Sequence, residues 1–435
     1  MFLLDLLPMV IPFSLPLIDA DVIAEVNDAL TNTGWLTTGP KVRQLEVEIS
    51  LLTGTPVLCV NSWTSGAMLM LRWFGVGPGD EVIIPAYTYS ATALCAMNLG
   101  ATVVMVDVED DFTMSPERLR EAVTSRTKAV IPVDIAGWPA DYDALDAVLA
   151  EPGVRDLFSA DTDRQAALGR ILVLADAAHS IGSTYRGRAS GTLADATVFS
   201  LHSVKNITTG EGGAIALHLP PPFDNDAEYV FLRAFALNGQ TKSAYEKNVP
   251  GAWRYDIIEA GMKVNMPDIG AAIGLAQIRK YVSQLLPERR AIADRYDAGF
   301  AGHPWALLPT RSSTQAESSA HLYMLRIAGA DEGQRDAIIA AISTREVGVN
   351  VHYIPMPMLT LFKNRGYVMA DYPNTYALYA NEITLPLYNG LTDEQVAEVI
   401  AAVVDAVGNV LGDVPSAAPG GGAVDITGVP REATP

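Results

Sequence analysis

A lysine and an aspartate carry the most chemistry in this chain. Lys205 stands between a β-like run, residues 196–201, and a glycine-rich turn, Gly210-Glu211-Gly212-Gly213. Asp176 lies 29 residues earlier, after the apolar run Ile171-Leu172-Val173-Leu174-Ala175, and His179 follows it by three. An amine and a carboxylate at the ends of successive strands meet the needs of pyridoxal phosphate (PLP). The lysine forms a Schiff base with its aldehyde, and the carboxylate keeps the pyridine nitrogen protonated so that the ring takes up electrons. His179 is placed to donate to the phenolic oxygen of such a ring.

Each residue also has a plainer reading. Asp176 alone would serve as a helix cap, and His179 as a histidine with one backbone hydrogen bond. A surface lysine after an edge strand is the plain reading of Lys205, and it fits less well. Val204 and Ile207 are apolar neighbours, desolvation makes a lysine more nucleophilic, and the glycines suit close backbone approach. Two earlier turns join the set. Asn61-Ser62-Trp63-Thr64-Ser65-Gly66 links an apolar run to a helical pattern, and a turn of that kind offers free N–H groups to a phosphate. Tyr87-Thr88-Tyr89-Ser90 follows Val82-Ile83-Ile84-Pro85, where an aromatic would stack on a flat ring. All four features fall at strand C-terminal ends, where open α/β sheets bind ligands.

The elements that must position them alternate. Strands are predicted at 56–60, 81–85, 102–106, 129–133, 171–174, 196–200 and 214–217, with helices at 65–74, 91–99, 116–123 and 142–149. Such alternation implies an α/β fold with a mainly parallel sheet. The glycines of Gly75-Val76-Gly77-Pro78-Gly79 precede a strand rather than open a helix, so they read as a turn and not as a dinucleotide fingerprint. The span 151–170 is polar and reads as a surface insertion. Beyond about residue 265 the texture changes: helices at 268–282, 288–300, 333–342 and 394–407, and strands at 322–327 and 348–353. Arg289, Arg290 and Arg295 read as a solvated helix face. The expected division is a large domain 1–265, a smaller α/β domain 266–411, and a Pro/Gly/Ala-rich disordered tail 412–435.

Composition narrows the function. The chain has 435 residues, 49% hydrophobic, and a formal net charge of −20. Nucleic-acid binding is disfavoured, because no Lys/Arg cluster offsets that charge. No apolar run is long enough to span a membrane, and the apolar start lacks a basic segment and a cleavage site. The two cysteines, Cys59 and Cys95, sit in apolar runs and read as buried reduced thiols of a cytoplasmic protein. No Cys/His spacing suggests a metal site.

The motifs resemble those of the DegT/StrS-type nucleotide-sugar aminotransferases. Matching stretches are 34–40, 79–85, Asp176-Ala177-Ala178-His179, 200–206, Glu211-Gly212-Gly213, 266–274 and Val351-His352-Tyr353, within a likeness running from about 11 to 407. The resemblance implies the aspartate-aminotransferase-like architecture (PLP fold type I), with a seven-stranded sheet in its large domain. It implies Lys205 as the lysine that bonds the cofactor and shuttles protons, Asp176 at the ring nitrogen, His179 at the ring hydroxyl and Tyr89 on the ring face. Thr64, Ser65 and Ser200 would hold the phosphate. Residues 261–266 resemble a stretch that crosses a homodimer interface to the partner's phosphate. Many members have asparagine where Lys263 stands, so either Lys263 or Asn265 makes that contact. His202, His352 and Tyr353 fall on the substrate side. Trp63 replaces a small residue, so it must point away from the phosphate or reshape the pocket.

The implied reaction moves an amino group from L-glutamate, leaving 2-oxoglutarate, to a nucleotide-linked keto sugar through the pyridoxal and pyridoxamine forms of the cofactor. The runs 34–40 and 202–208 resemble members acting on 4-keto sugars more than 3-keto sugars. Lys205 separates the chain from the dehydratase branch, which has histidine there. The full lysine–aspartate–histidine set weighs against a non-catalytic PLP-binding regulator, and the missing Gly-x-Gly-x-x-Gly weighs against a nicotinamide oxidoreductase.

Overall fold

The computed structural model describes residues 11–412. The apolar start and the expected tail from 413 onward lie outside the described residues. The main sheet has seven strands: β1 (Val57–Val60), β2 (Glu81–Pro85), β3 (Thr102–Val106), β4 (Thr127–Val130), β5 (Leu172–Asp176), β6 (Ala196–Ser200) and β7 (Gly213–Leu217), in the order β1-β7-β6-β5-β4-β2-β3. From β3 to β6 every pairing is parallel. β7 runs antiparallel to both neighbours, and Ser200 pairs with Gly213 across the resulting hairpin. Six of the seven strands, all but the edge strand β3, are buried at every position. A strand covered on both faces selects continuous apolar residues rather than alternation.

Helices follow β1 and β2 directly. Ser62 caps the helix Trp63–Phe74 by accepting the Ser65 N–H at 3.1 Å, and Gly75 ends it at φ +89°, the left-handed turn a glycine makes without strain. The helix Ala91–Met97 follows the Tyr87–Ser90 turn. On the other face, the helix Asp268–Lys280 shares an apolar cluster with the helix Pro40–Thr53: Val42, Leu45 and Ile49 against Ala271, Leu275 and Ile278. A second sheet, β8 (Ala306–Leu307), β9 (Tyr323–Ile327) and β10 (Glu382–Leu385), is antiparallel. Helices Leu286–Phe300, Glu332–Ser343 and Asp393–Leu411 supply the rest of its apolar cluster, including Ile292, Ile338 and Val399.

Three expectations need correcting. Residues 348–353 form no strand. Asn350 bridges Thr384 of β10, but the next N–H that would extend a ladder, that of His352, is taken by the Glu382 carboxylate at 3.0 Å. Arg289 is not on a solvated face. It is buried, donating to the carbonyls of Ala320, His321 and Leu387 at 3.0, 2.7 and 2.9 Å, a use suited to the guanidinium fork. The span 151–170 is more than a surface insertion. It forms helices Pro152–Arg155 and Asp163–Leu168, and buried Gln165 donates to the Phe74 carbonyl at 3.0 Å, satisfying an orphan acceptor at the end of Trp63–Phe74.

Candidate active site

A cavity of about 660 Å³ opens at the C-terminal ends of β2, β5 and β6. Thr64, Tyr89, Asp176, His179, Ser200, His202, Lys205, His352 and Tyr353 all line it. Asp176 ends β5 and is buried. It accepts the Thr92 hydroxyl at 2.7 Å and the Ala178 N–H at 3.2 Å, and it has no ion-pair partner among the described residues. Burial pushes its carboxyl up to about 7 against those two hydrogen bonds. Lys205 sits on the hairpin connection after β6. Loss of water pulls its amine down to about 8, with the Asp176 charge opposing the drop.

His179 shows which ring nitrogen carries its proton. Nδ1 accepts the Ala136 N–H at 3.1 Å, so it holds a lone pair. Burial holds the ring neutral, far below the ordinary histidine range. The proton is therefore on Nε2, which lies 3.0 Å from the Tyr353 hydroxyl. Tyr89 is exposed, with its ring centre 5.8 Å from that of Tyr353. Tyr87, two residues earlier, is fully buried in the core instead.

Ser62, Trp63 and Thr64 line the cavity where the first-turn N–H groups of Trp63–Phe74 lack intrahelical acceptors. The Trp63 side chain is packed in the apolar core. Gly213 makes this approach possible: a Cβ there would lie 2.6 Å from the Ser62 carbonyl carbon and 2.7 Å from the Trp63 nitrogen. Gly213→Ala is expected to cost about 1–3 kcal/mol of stability by pushing the turn off the sheet. Urea denaturation of the variant beside the wild type measures it.

Some expected residues stand elsewhere. Ser65 does not line the cavity, and its hydroxyl accepts from Ser62 at 2.9 Å. Lys263 and Asn265 do not line it either. Lys263 is exposed and donates to the Asn265 side chain, which donates to Thr38 at 2.7 Å. Other residues were not singled out by sequence. Thr88 and Thr92 hydroxyls meet at 2.9 Å beneath Asp176. Asn206 holds the Lys205 hairpin through Tyr281 (3.0 Å), the Ser319 carbonyl (2.9 Å) and His321 Nδ1 (2.8 Å). His321 lies against His179, ring centres 4.3 Å apart. No spacing in the chain announces these contacts.

The arrangement fits PLP. A buried carboxylate lacking a cation would gain one from a protonated pyridine nitrogen, and a desolvated amine on the adjacent strand end suits bonding to an aldehyde. Known proteins agree. The chain is 36% identical, over 90% of its length and 96% of the relative's, to the spore coat polysaccharide biosynthesis protein SpsC of Bacillus subtilis (strain 168). It superposes with TM-score 0.87 and 45% identity on Spr1654 of Streptococcus pneumoniae, described as a sugar aminotransferase and solved in its PMP form, covering 92% of this chain and 100% of that one. The PLP form of the same protein gives 0.86 and 44%, covering 92% and 99%. The aminotransferase TlmJ of Streptoalloteichus hindustanus gives 0.78 at 26% identity, covering 92% and 99%. These superpositions bear out the fold type I architecture. Residues 16–404 match the DegT/DnrJ/EryC1/StrS aminotransferase family. The chain belongs to that family, and it is a transaminase that works with pyridoxal phosphate.

Proposed function

We propose that this transaminase moves the amino group of L-glutamate to the keto carbon of a nucleotide-linked 4-keto-6-deoxyhexose. The observation that carries the reading is the cavity's make-up. It is lined by Asp176 and Lys205, at the ends of β5 and β6, and by the polar rings of Tyr89, His202, His352 and Tyr353. Such rings suit the hydroxyls and faces of a sugar. Likeness to a sugar aminotransferase and to a polysaccharide biosynthesis protein supports it. The 4-keto position is favoured by the likeness of 34–40 and 202–208 to members acting there.

When bound, PLP supplies an aldehyde for the lysine and a ring that stores the electron pair released at the donor's Cα. Lys205 Nζ carries the proton to and from that carbon. An amine brought down to about 8 is partly neutral near neutral pH and can do so. Asp176 holds the proton on the pyridine nitrogen, and His179 offers Nε2–H to the ring oxygen. Thr64 and Ser200 hold the phosphate, with Ser65 supporting the turn. The active species in this reading is a homodimer in which Lys263 or Asn265 reaches the partner's phosphate. That both lie away from their own chain's cavity supports it.

The test is to incubate the PLP-loaded enzyme with L-glutamate and a panel of 3-keto and 4-keto nucleotide sugars, identifying products by mass and NMR. Amination at C4 is expected. Amination at C3 alone would overturn the position, and no amino sugar from any member would overturn the sugar acceptor.

A further inference from the structure

Beside the cavity, two buried side chains of β10 have no part in the chemistry described so far. We infer that Glu382 and Thr384 are positioning residues that decide, through a relay of hydrogen bonds, whether His352 Nε2 acts as a donor or an acceptor toward the sugar. The inference rests on reading the cavity's polar rings, His352 among them, as its sugar side.

Glu382 and Thr384 are two residues apart on one strand, so their side chains share a face, and both are fully buried. One carboxylate oxygen accepts the His352 N–H at 3.0 Å, and the other meets the Thr384 hydroxyl at 2.5 Å. Thr384 Oγ1 in turn meets His352 Nδ1 at 2.9 Å. Glu382 has no ion-pair partner among the described residues. Arg335 spends its guanidinium on Asp336 and on the backbone carbonyls of Tyr379 and Glu382.

Each contact in this chain holds one proton, so only two arrangements satisfy all of them. With Glu382 ionised, Thr384 donates to the carboxylate, His352 Nδ1–H donates to Thr384, and Nε2 carries a bare lone pair. With Glu382 protonated, its O–H donates to Thr384, Thr384 donates to Nδ1, and the ring proton sits on Nε2. The imidazole is neutral in both. Burial keeps it so, pulling His352 down to about 3, while burial pushes Glu382 up to about 8. The titratable groups around the ring are Lys205, His179, His321 and Tyr353, and those around the carboxyl are Arg335, Tyr87 and Tyr353. One buried proton thus reverses the polarity of a wall atom without charging it.

Glu382→Gln tests this without changing shape. The His352 N–H needs an acceptor, so the amide oxygen must face it and the NH₂ must face Thr384. Thr384 then donates to Nδ1, and Nε2–H becomes the fixed form. The readout is the ¹⁵N shifts of His352 in the PLP-loaded enzyme, assigned with His352→Asn. In the wild type the ring proton is expected on Nε2 at about pH 6.5 and on Nδ1 at about pH 9.5. In Glu382→Gln it should stay on Nε2 at both, and in Thr384→Val the pH response should vanish. A wild-type tautomer that is the same at both pH values, or a Glu382→Gln variant that responds like wild type, overturns the relay.

A second arm measures KM for a TDP-linked 4-keto-6-deoxyhexose against KM for L-glutamate. At the higher pH, Glu382→Gln should change the ratio about tenfold, the effect of one reversed hydrogen bond. Equal changes in both constants would mark a merely structural role and overturn the inference. If no keto sugar is turned over, the sugar reading falls, and the nitrogen shifts still decide the relay.

Discussion

Lys205→Ala is expected to abolish transamination, by at least about 10⁴-fold, and to remove the visible absorbance of the lysine-bonded cofactor. The size follows from the loss of two roles at one atom, bonding to the aldehyde and moving the proton at the donor's Cα. The fold should survive. The Lys205 side chain makes no hydrogen bond or ion pair among the described residues, and the hairpin is held by its neighbours. Asn206 is tied to Tyr281 and Ser319, and Thr209 N–H donates to the Leu201 carbonyl at 2.9 Å. Absorbance spectra and single-turnover rates with L-glutamate check it. Full activity with an unchanged spectrum would sink the role given to Lys205.

Asp176→Asn is expected to lower kcat by about 10²–10⁴-fold while leaving the fold intact. The asparagine oxygen can keep the Ala178 N–H. Its NH₂ can donate to Thr92, which then turns its hydroxyl proton toward Thr88. Only the charge is lost, which in the proposed role faces the pyridine nitrogen. Stability gives a second, signed readout. In the cofactor-free chain the folded-state pKa is raised from 3.8 to about 7, so the folded state holds this proton more tightly than the unfolded state. The wild type therefore loses stability as pH rises from about 4 to about 7, by an amount of the order of 2–4 kcal/mol from this group. Asp176→Asn lacks that loss, and cofactor-free it should be the more stable protein at pH 8. With PLP bound the order should reverse, because the wild-type carboxylate then faces a cation. Denaturation of both proteins with and without PLP reads this crossing, and its absence would count against the ring-nitrogen role.

Much of this was legible in the sequence where local patterns decide local structure. β2, β3 and β6 lie where their apolar runs predict, to the residue. β4 was expected at 129–133 and lies at Thr127–Val130. Lys128 lies inside its start, and a lysine is unfavoured in a buried strand. Here it is buried because Asp161 and the Ser159 carbonyl receive its ammonium, and both come from the span read as an insertion. Pro132, with no N–H to give, helps end the strand early. The cavity's lysine, aspartate and first histidine announced themselves by sitting at strand ends. Thr92, His321, Glu382 and Thr384 did not. Each reaches its partner through packing between distant segments, and a buried glutamate two residues before a threonine looks from sequence like any half-exposed strand.

The antiparallel turn of β7 has a consequence for how the site comes together. A parallel partner would have required a long crossover, with Lys205 displayed on it. Instead residues 201–212 close on themselves, and the Lys205 amine rides a hairpin of low contact order that needs little loop-closure entropy. The segment bearing His352 and Tyr353 arrives from far along the chain and is attached to the second sheet. His352 and Tyr353 thus come to the site on a piece of polypeptide separate from the one that presents Lys205. In the proposed reading, drift in that remote piece retunes which acceptor is chosen, generation after generation, without shifting the register of the strands that present the lysine.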